Sequence, residues 1–219
     1  MRAEWKPNLA ERVVLRGLFL LARMAQGSEA RLVATECVRV MGIRGTLRYT
    51  ATALKVTKLL EGEFGGITAQ FLIGLASLFI GCGFCTYGHV MAGAVLWFRE
   101  RGELHPLDHY VARDLFEMTD AEIREKLERQ LRQPEHQRLL LLVLRMHDLY
   151  LECAEGTWPE DPYLEACLWM WRWTTECSIV DGITRTPETS TPNHPVGRDR
   201  ATLERFERAR REARSASPA

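Results

Sequence analysis

The sequence predicts an all-α protein. Along most of the chain, apolar residues recur at the spacing of a helix rather than in the alternation of a half-buried strand. Glycine and proline residues divide these apolar runs into segments of ordinary helix length. Apolar residues make up 46% of the chain, so a folded core is expected and wholesale disorder is excluded.

The glycines predict five helices in the first half of the chain. Gly27-Ser28 ends the first helix, and Gly65-Gly66 breaks the chain before a strongly apolar fourth helix. A joint at Gly81-Cys82-Gly83 precedes the fifth. The predicted helices span residues 8–25, 29–41, 46–63, 67–80 and 84–101.

Start signals predict four further helices in the second half, followed by a polar loop and a charged tail. His105-Pro106 opens a helix with proline in its first turn. Thr119 and Glu122 form a capping box for residues 120–132. The remaining expected elements are a helix at 136–155, a last core helix from Asp161 through Trp169, Trp171 and Trp173 to Asp181-Gly182, a polar loop at 183–198 and a charged tail at 199–219. We expect a single domain over residues 1–182, and the tail as a solvated helix or a disordered end.

Charge and cysteine content exclude several classes of partner and location. The 29 basic and 29 acidic residues cancel, so the chain as a whole does not attract nucleic acid. Six cysteines in 219 residues are too few for a disulfide-stapled secreted domain. Because Arg16 and Arg23 interrupt the N-terminal apolar run, no signal peptide is predicted and we expect a cytoplasmic protein.

Residues 65–98 contain no Asp, Glu, Lys or Arg. Within them, residues 67–84 are long enough to be weighed as a membrane-spanning helix. Three glycines dilute this stretch and no cluster of Lys or Arg flanks it, so we expect no membrane span. Helices this apolar need cover, which we expect from neighbouring helices and from other subunits of a homo-oligomer.

The reactive groups of this stretch are Cys82, Cys85 and His89. On a helix, residues three or four apart share a face, so one face carries both thiols and the imidazole. Cys82 lies near a helix N-terminus, where the backbone N–H groups favour a thiolate. His89 can accept a proton from Cys85, and two neighbouring thiols allow reversible disulfide chemistry.

The order Gly81-Cys82, Cys85, His89 resembles the Cys-x-x-Cys-x-x-x-His branch of the carboxymuconolactone decarboxylase/alkylhydroperoxidase D-like family, over about residues 50–101. The resemblance implies an alkylhydroperoxidase D-like helical domain with extra N- and C-terminal helices, assembled as a homo-oligomer. It also implies that Cys85 attacks the peroxide, Cys82 resolves the intermediate and His89 belongs to the proton relay.

The glutamate that this family places in the relay falls on Gln70 here. Glutamine can hold a hydrogen bond but cannot accept a proton near neutral pH. Glu63, seven residues earlier, is a candidate for acid–base support.

The predicted function is therefore that of a thiol-dependent oxidoreductase or peroxidase. Its substrate would be a hydroperoxide or another small electrophile, and an external dithiol or reductase partner would restore the thiols. No cofactor and no metal are implied.

Two alternatives stay open. One is a lyase or isomerase of a specialised pathway, in which His89 works as an acid–base group. The other is a non-enzymatic redox or zinc-binding module with Cys82, Cys85 and His89 as ligands and His105, His109 or Cys153 as the fourth.

Overall fold

A computed structural model of the chain describes residues 5–27, 31–172 and 186–216, and this part of the chain contains helices and no strand. The all-α prediction is confirmed. The helices are α1 (Leu9–Gln26), α2 (Arg31–Phe64), α3 (Gly66–Phe79), α4 (Gly83–Arg101), α5 (His109–Leu115), α6 (Asp120–Gln130), α7 (Gln137–Tyr150), α8 (Asp161–Arg172) and α9 (Arg200–Ala216). Short 3-10 turns lie at Pro134–His136, Pro187–Thr189 and Pro195–Arg198.

The centre of the fold is the pair α3 and α4, joined by a tight turn and packed along their length. Every residue of α3 from Ala69 to Phe79 is buried. The two backbones approach closely at Gly74, where an added Cβ would lie 2.6 Å from Val90 Cγ2 and 2.9 Å from the Val90 backbone nitrogen. This close approach sets the register between the two helices.

The chain itself covers α3 and α4. Helices α2, α7 and α8 pack against α3, whereas α5, α9 and the Pro195–Arg198 turn pack against α4. The expectation that other subunits must cover this pair is therefore wrong, because its apolar surface is already buried within one chain. The homo-oligomer itself stays a prediction, and large exposed apolar side chains lie mainly on α1 and α2: Leu9, Val13, Leu20, Leu21, Met24, Val40, Leu47, Leu54 and Leu59.

Several helix boundaries differ from the expected ones. The predicted helices at 29–41 and 46–63 join into α2, with a kink at Gly42 (φ 67°, ψ 177°). Helix α5 begins at His109 because the Asp108 carboxylate accepts the backbone N–H groups of Tyr110 and Val111. The capping box of Thr119 and Glu122 is present at the start of α6. Trp173 and Asp181-Gly182, expected in the last core helix, lie outside the described residues.

The C-terminal tail is a docked helix rather than a solvated one. In α9, Phe206 is 1% exposed and packs edge-on against Phe98 of α4. The Arg210 side chain lies 3.1 Å from the Asp108 carboxylate and over the ring of Tyr110. A buried arginine needs such partners, and they attach the charged helix to the core.

A buried ion pair ties α7 to α8. Arg145 donates two hydrogen bonds of 2.7 Å to the Asp161 carboxylate and two more to the carbonyls of Glu155 and Gly156. Because every partner is satisfied, the pair fixes the connection between the helices. Helix α8 in turn carries Trp171 to the candidate site.

No described helix is long and apolar enough to cross a membrane. The apolar stretch weighed for that role is divided between α3, which ends at Phe79, and the start of α4 at Gly83.

We expect Gly74→Ala to lower the free energy of unfolding by about 1–3 kcal/mol, because the new methyl would overlap the Val90 backbone. Gly62→Ala is the matched control, since a Cβ at that position in α2 meets nothing within 4 Å. That change should be neutral or stabilise by about 0.5–1 kcal/mol. Urea unfolding followed by circular dichroism measures both, and equal midpoints for the two variants would contradict the close packing of α3 on α4.

Candidate functional site

The site begins at the turn between α3 and α4. Gly81 has φ 88°, a left-handed conformation that glycine adopts without strain. The turn is closed by the Cys82 N–H, which donates to the Ser77 carbonyl at 2.8 Å. Cys82 is the residue before the first turn of α4, and Cys85 lies within that turn. The glycine joint therefore places both cysteines at the N-terminus of α4.

A buried hydroxyl holds the first turn of α4 in place. Thr86 donates from its side chain to the Cys82 carbonyl at 2.8 Å, and its backbone N–H donates to the same carbonyl at 3.0 Å. Thr86 is fully buried. These two bonds fix the backbone on which both cysteines are mounted.

Both cysteines are present as buried thiols. Cys82 is 2% exposed and Cys85 is 3% exposed. Gly81 is exposed and Gly83 is partly buried, so the turn that carries Cys82 reaches the protein surface.

His89 lies one helical turn after Cys85 on the same face of α4. Its Nδ1 is 2.8 Å from the side-chain oxygen of Gln70, and its ring packs edge-on against Trp171. Burial, with a smaller contribution from the nearby His194, lowers the pKa of His89 to about 3. The imidazole is therefore neutral at physiological pH.

The partners of Gln70 determine which nitrogen of His89 carries the proton. Gln70 is 1% exposed, and its Nε2 donates to Glu61 Oε1 at 3.3 Å. Because a carboxylate only accepts, the amide nitrogen must face Glu61 and the amide oxygen must face His89. His89 Nδ1 therefore carries the hydrogen, and His89 Nε2 is left as an unprotonated acceptor.

The carboxylate beside Gln70 is Glu61 and not Glu63, the residue suggested by the sequence. Glu63 is exposed, and its side chain raises the pKa of Tyr163 through a hydrogen bond. The chain turns at Gly65 (φ 78°), so α2 and α3 meet at an angle. Glu61 and Gln70 lie at similar distances on either side of this turn. The Gly65-Gly66 break in the sequence predicted the turn between these helices. Glu63 was suggested because it lies seven residues before Gln70, which is about two turns of one continuous helix.

Residues 186–198 also reach the site, which the sequence did not indicate. The Asn193 N–H donates to the Gly88 carbonyl at 2.9 Å, and an added Cβ at Gly88 would lie 2.3 Å from the Asn193 side chain. His194 Nε2 lies 3.7 Å from Glu61 Oε1. In the sequence this stretch is a polar, proline-rich loop, and nothing in its pattern points to a site more than a hundred residues away.

The residues considered as further zinc ligands lie elsewhere. His105 stacks on Phe71 with ring centroids 4.3 Å apart, and His109 is 1% exposed beside Arg210. Both histidines are buried, whereas Cys153 is exposed. Among residues 5–27, 31–172 and 186–216, no group of three His, Cys, Asp or Glu side chains is arranged to hold a metal ion.

The sequence matches no protein-family model, no curated protein and no solved structure. The likeness to the alkylhydroperoxidase D-like family thus remains a prediction from the spacing of Cys82, Cys85 and His89.

We expect His89 to stay neutral, with hydrogen on Nδ1, between pH 5 and pH 8. Its lowered pKa of about 3 lies far below the ordinary value of 6.5. Between these two pKa values, His89 binds a proton in the unfolded chain but not in the folded protein, so the free energy of unfolding falls as the pH drops below 6.5. Long-range ¹H–¹⁵N NMR reports both the charge and the tautomer. A titration of the His89 ring near pH 6.5 would contradict its burial.

Proposed function

We propose that the protein is a thiol-dependent oxidoreductase that reduces a hydroperoxide, within the alkylhydroperoxidase D-like family. One observation supports the proposal. The hydrogen bonds from Glu61 through Gln70 leave His89 Nε2 unprotonated, so it can serve as a base. His89 lies on the helix face that begins with Cys82 and Cys85. A neutral imidazole one turn from a thiol can deprotonate it. The thiols lie at a helix N-terminus, which favours the thiolate that results.

In the first step, His89 Nε2 takes the proton of the Cys85 thiol. The thiolate attacks the terminal oxygen of the hydroperoxide, the O–O bond breaks, and the leaving alkoxide takes the proton back from His89. The products are an alcohol and a sulfenic acid on Cys85, so the sulfur is oxidised and the peroxide is reduced.

In the second step, the Cys82 sulfur attacks the Cys85 sulfenic acid. A disulfide forms between the two cysteines, and water leaves with the thiol proton. An external dithiol, free or on a partner protein, then reduces this disulfide and is itself oxidised. The cycle needs no other cofactor.

The interposed amide limits the strength of the base. Gln70 orients His89 but cannot share its positive charge, as a directly bonded carboxylate would. We therefore expect His89 to be a weaker base here than beside a carboxylate.

The neutral His89, oriented by Gln70, also fits a second candidate, a lyase or isomerase in which its Nε2 removes a proton from an activated carbon acid. That chemistry does not use the thiols. The two candidates are therefore separated by whether turnover needs Cys82 and Cys85.

Two further proposals concern assembly and location. We propose that α1 and α2 contact another copy of the chain through their exposed apolar side chains, since surfaces of this kind mark interaction sites. We also propose a cytoplasmic location, because a thiol pair that cycles through a disulfide needs a reducing environment.

The first test is alkylation of the thiols before and after a stoichiometric dose of an organic hydroperoxide, read by peptide mass spectrometry. Cys82 and Cys85 should be lost together and restored by dithiothreitol. The internal controls are Cys153, which is exposed, and Cys167, whose pKa is raised by burial. Oxidation of Cys82 and Cys85 no faster than that of Cys153 would overturn the proposal.

Serine variants assign the two thiols. Cys82→Ser should stop the reaction at a Cys85 sulfenic acid that a cyclic 1,3-dione traps, whereas Cys85→Ser should yield no adduct. Cys153→Ser is the matched control and should behave as the wild type does. An adduct on Cys82 in the Cys85→Ser variant would reverse the roles.

Exchanging the acid and the amide tests the base. Gln70→Glu alone would place two carboxylates about 3 Å apart, where one must remain protonated. The double variant Glu61→Gln/Gln70→Glu restores one carboxylate and one amide, with the charge now beside His89. We expect the double variant to oxidise Cys85 about tenfold faster, since a more basic imidazole improves proton transfer. Stopped-flow peroxide consumption measures the rate, and no gain would mean that His89 is not the base.

A further inference from the structure

We propose that His194 is a positioning residue for His89 that acts through Glu61 and Gln70. This inference deepens the proposed function and rests on it for any effect on rate. Its effect on the tautomer of His89 can be measured whether or not the protein reduces peroxides.

The backbone of the C-terminal segment (residues 186–198) sets the tautomer of His194. The Val196 N–H donates to His194 Nδ1 at 3.0 Å, so this nitrogen is an acceptor. The neutral ring therefore carries its hydrogen on Nε2, the nitrogen that lies 3.7 Å from Glu61 Oε1. Burial and the charge of Arg99 lower the pKa of His194, which favours this neutral form.

In the series of polar contacts from the Val196 N–H to His89, every donor faces an acceptor. The Gln70 amide N–H donates to Glu61 Oε1 at 3.3 Å, and His194 Nε2 lies 3.7 Å from the same oxygen, a polar contact longer than a hydrogen bond. The side-chain oxygen of Gln70 accepts the His89 Nδ1–H at 2.8 Å. The orientation of His89 is thus linked to a backbone N–H of the C-terminal segment.

Glu61 is the member of this series that is partly exposed to solvent. Its side chain is 33% exposed, whereas Gln70 is 1% exposed. A half-exposed carboxylate can turn toward water, and the Gln70 amide would then lose the acceptor that fixes its orientation. In this inference the polar contact of His194 Nε2 with Glu61 Oε1, at 3.7 Å, favours the position of that oxygen beside Gln70.

The C-terminal segment is anchored firmly enough for this role. The Asn193 N–H donates a hydrogen bond to the carbonyl of Gly88, the residue before His89. The Arg198 side chain donates to the Met24 carbonyl at 3.0 Å. Gly197 packs against the Gln26 carbonyl, where an added Cβ would lie 2.5 Å from the oxygen. The segment is thus held on α1 and on α4, on both sides of His194.

Two substitutions separate the two nitrogens of His194. In His194→Asn, the amide oxygen can still accept the Val196 N–H, but the side chain is too short to reach Glu61. In His194→Gln, the amide nitrogen can reach Glu61, but the acceptor for Val196 is lost. A role through Glu61 requires His194→Asn to be impaired and His194→Gln to be largely retained, whereas a purely capping role requires the reverse.

The experiment measures the His89 ring nitrogens by long-range ¹H–¹⁵N NMR and the rate of Cys85 oxidation in both variants. We expect His194→Asn to show mixed His89 tautomers and a rate about twofold lower, the low end of the effect of one hydrogen bond, because the contact of His194 with Glu61 is long. Wild-type behaviour of His194→Asn, or impairment of His194→Gln alone, would overturn the inference.

If both variants are impaired equally, adding His194→Asn to Glu61→Gln decides. No further change in the His89 tautomers in the double variant supports a role through Glu61, and an additional change overturns it. Circular dichroism confirms that each variant is folded. Failure of the wild type to react with peroxide would reject the proposed function, while the NMR result on His89 would still test the role of His194.

Discussion

The close packing of α3 against α4 is the constraint on which the rest of the structure depends. Gly74 lets the two backbones approach until the Val90 side chain lies directly against α3. This register places Gln70, one turn before Gly74, opposite His89, one residue before Val90. A larger residue at position 74 would separate the helices, and the 2.8 Å contact between amide and imidazole depends on that separation.

The charge of Glu61 lies at the edge of the site, and hydrogen bonds through Gln70 fix the orientation of the buried His89 ring. Glu61 stays partly exposed, where water stabilises its charge, and Gln70 carries only a dipole inward. His89 is consequently oriented like the histidine of a triad but without an ionic partner, and its pKa of about 3 reflects burial that no charge offsets. The result is a neutral, oriented imidazole one helical turn after Cys85.

The C-terminal region, residues 186–216, packs against the helical core. Helix α9 docks through Phe206 and through Arg210, whose partners are Asp108 and Tyr110 of another helix start. The contacts of Arg198 with α1 and the docking of α9 on α4 both hold the chain after His194, and the Asn193 hydrogen bond to Gly88 holds it before His194. Long-range contacts of this kind bring a loop residue close to Glu61, far away in the sequence.

By itself, the sequence determined the helical class, the glycine turns at 65 and 81, and the spacing of Cys82, Cys85 and His89, since these follow from local periodicity and backbone preference. Only the tertiary structure decided that α3 and α4 are covered by their own chain, and that Glu61 rather than Glu63 supports Gln70. It alone brought His194 to the site. These features depend on the angle between helices and on contacts between residues far apart in the chain, which spacing along one helix does not specify.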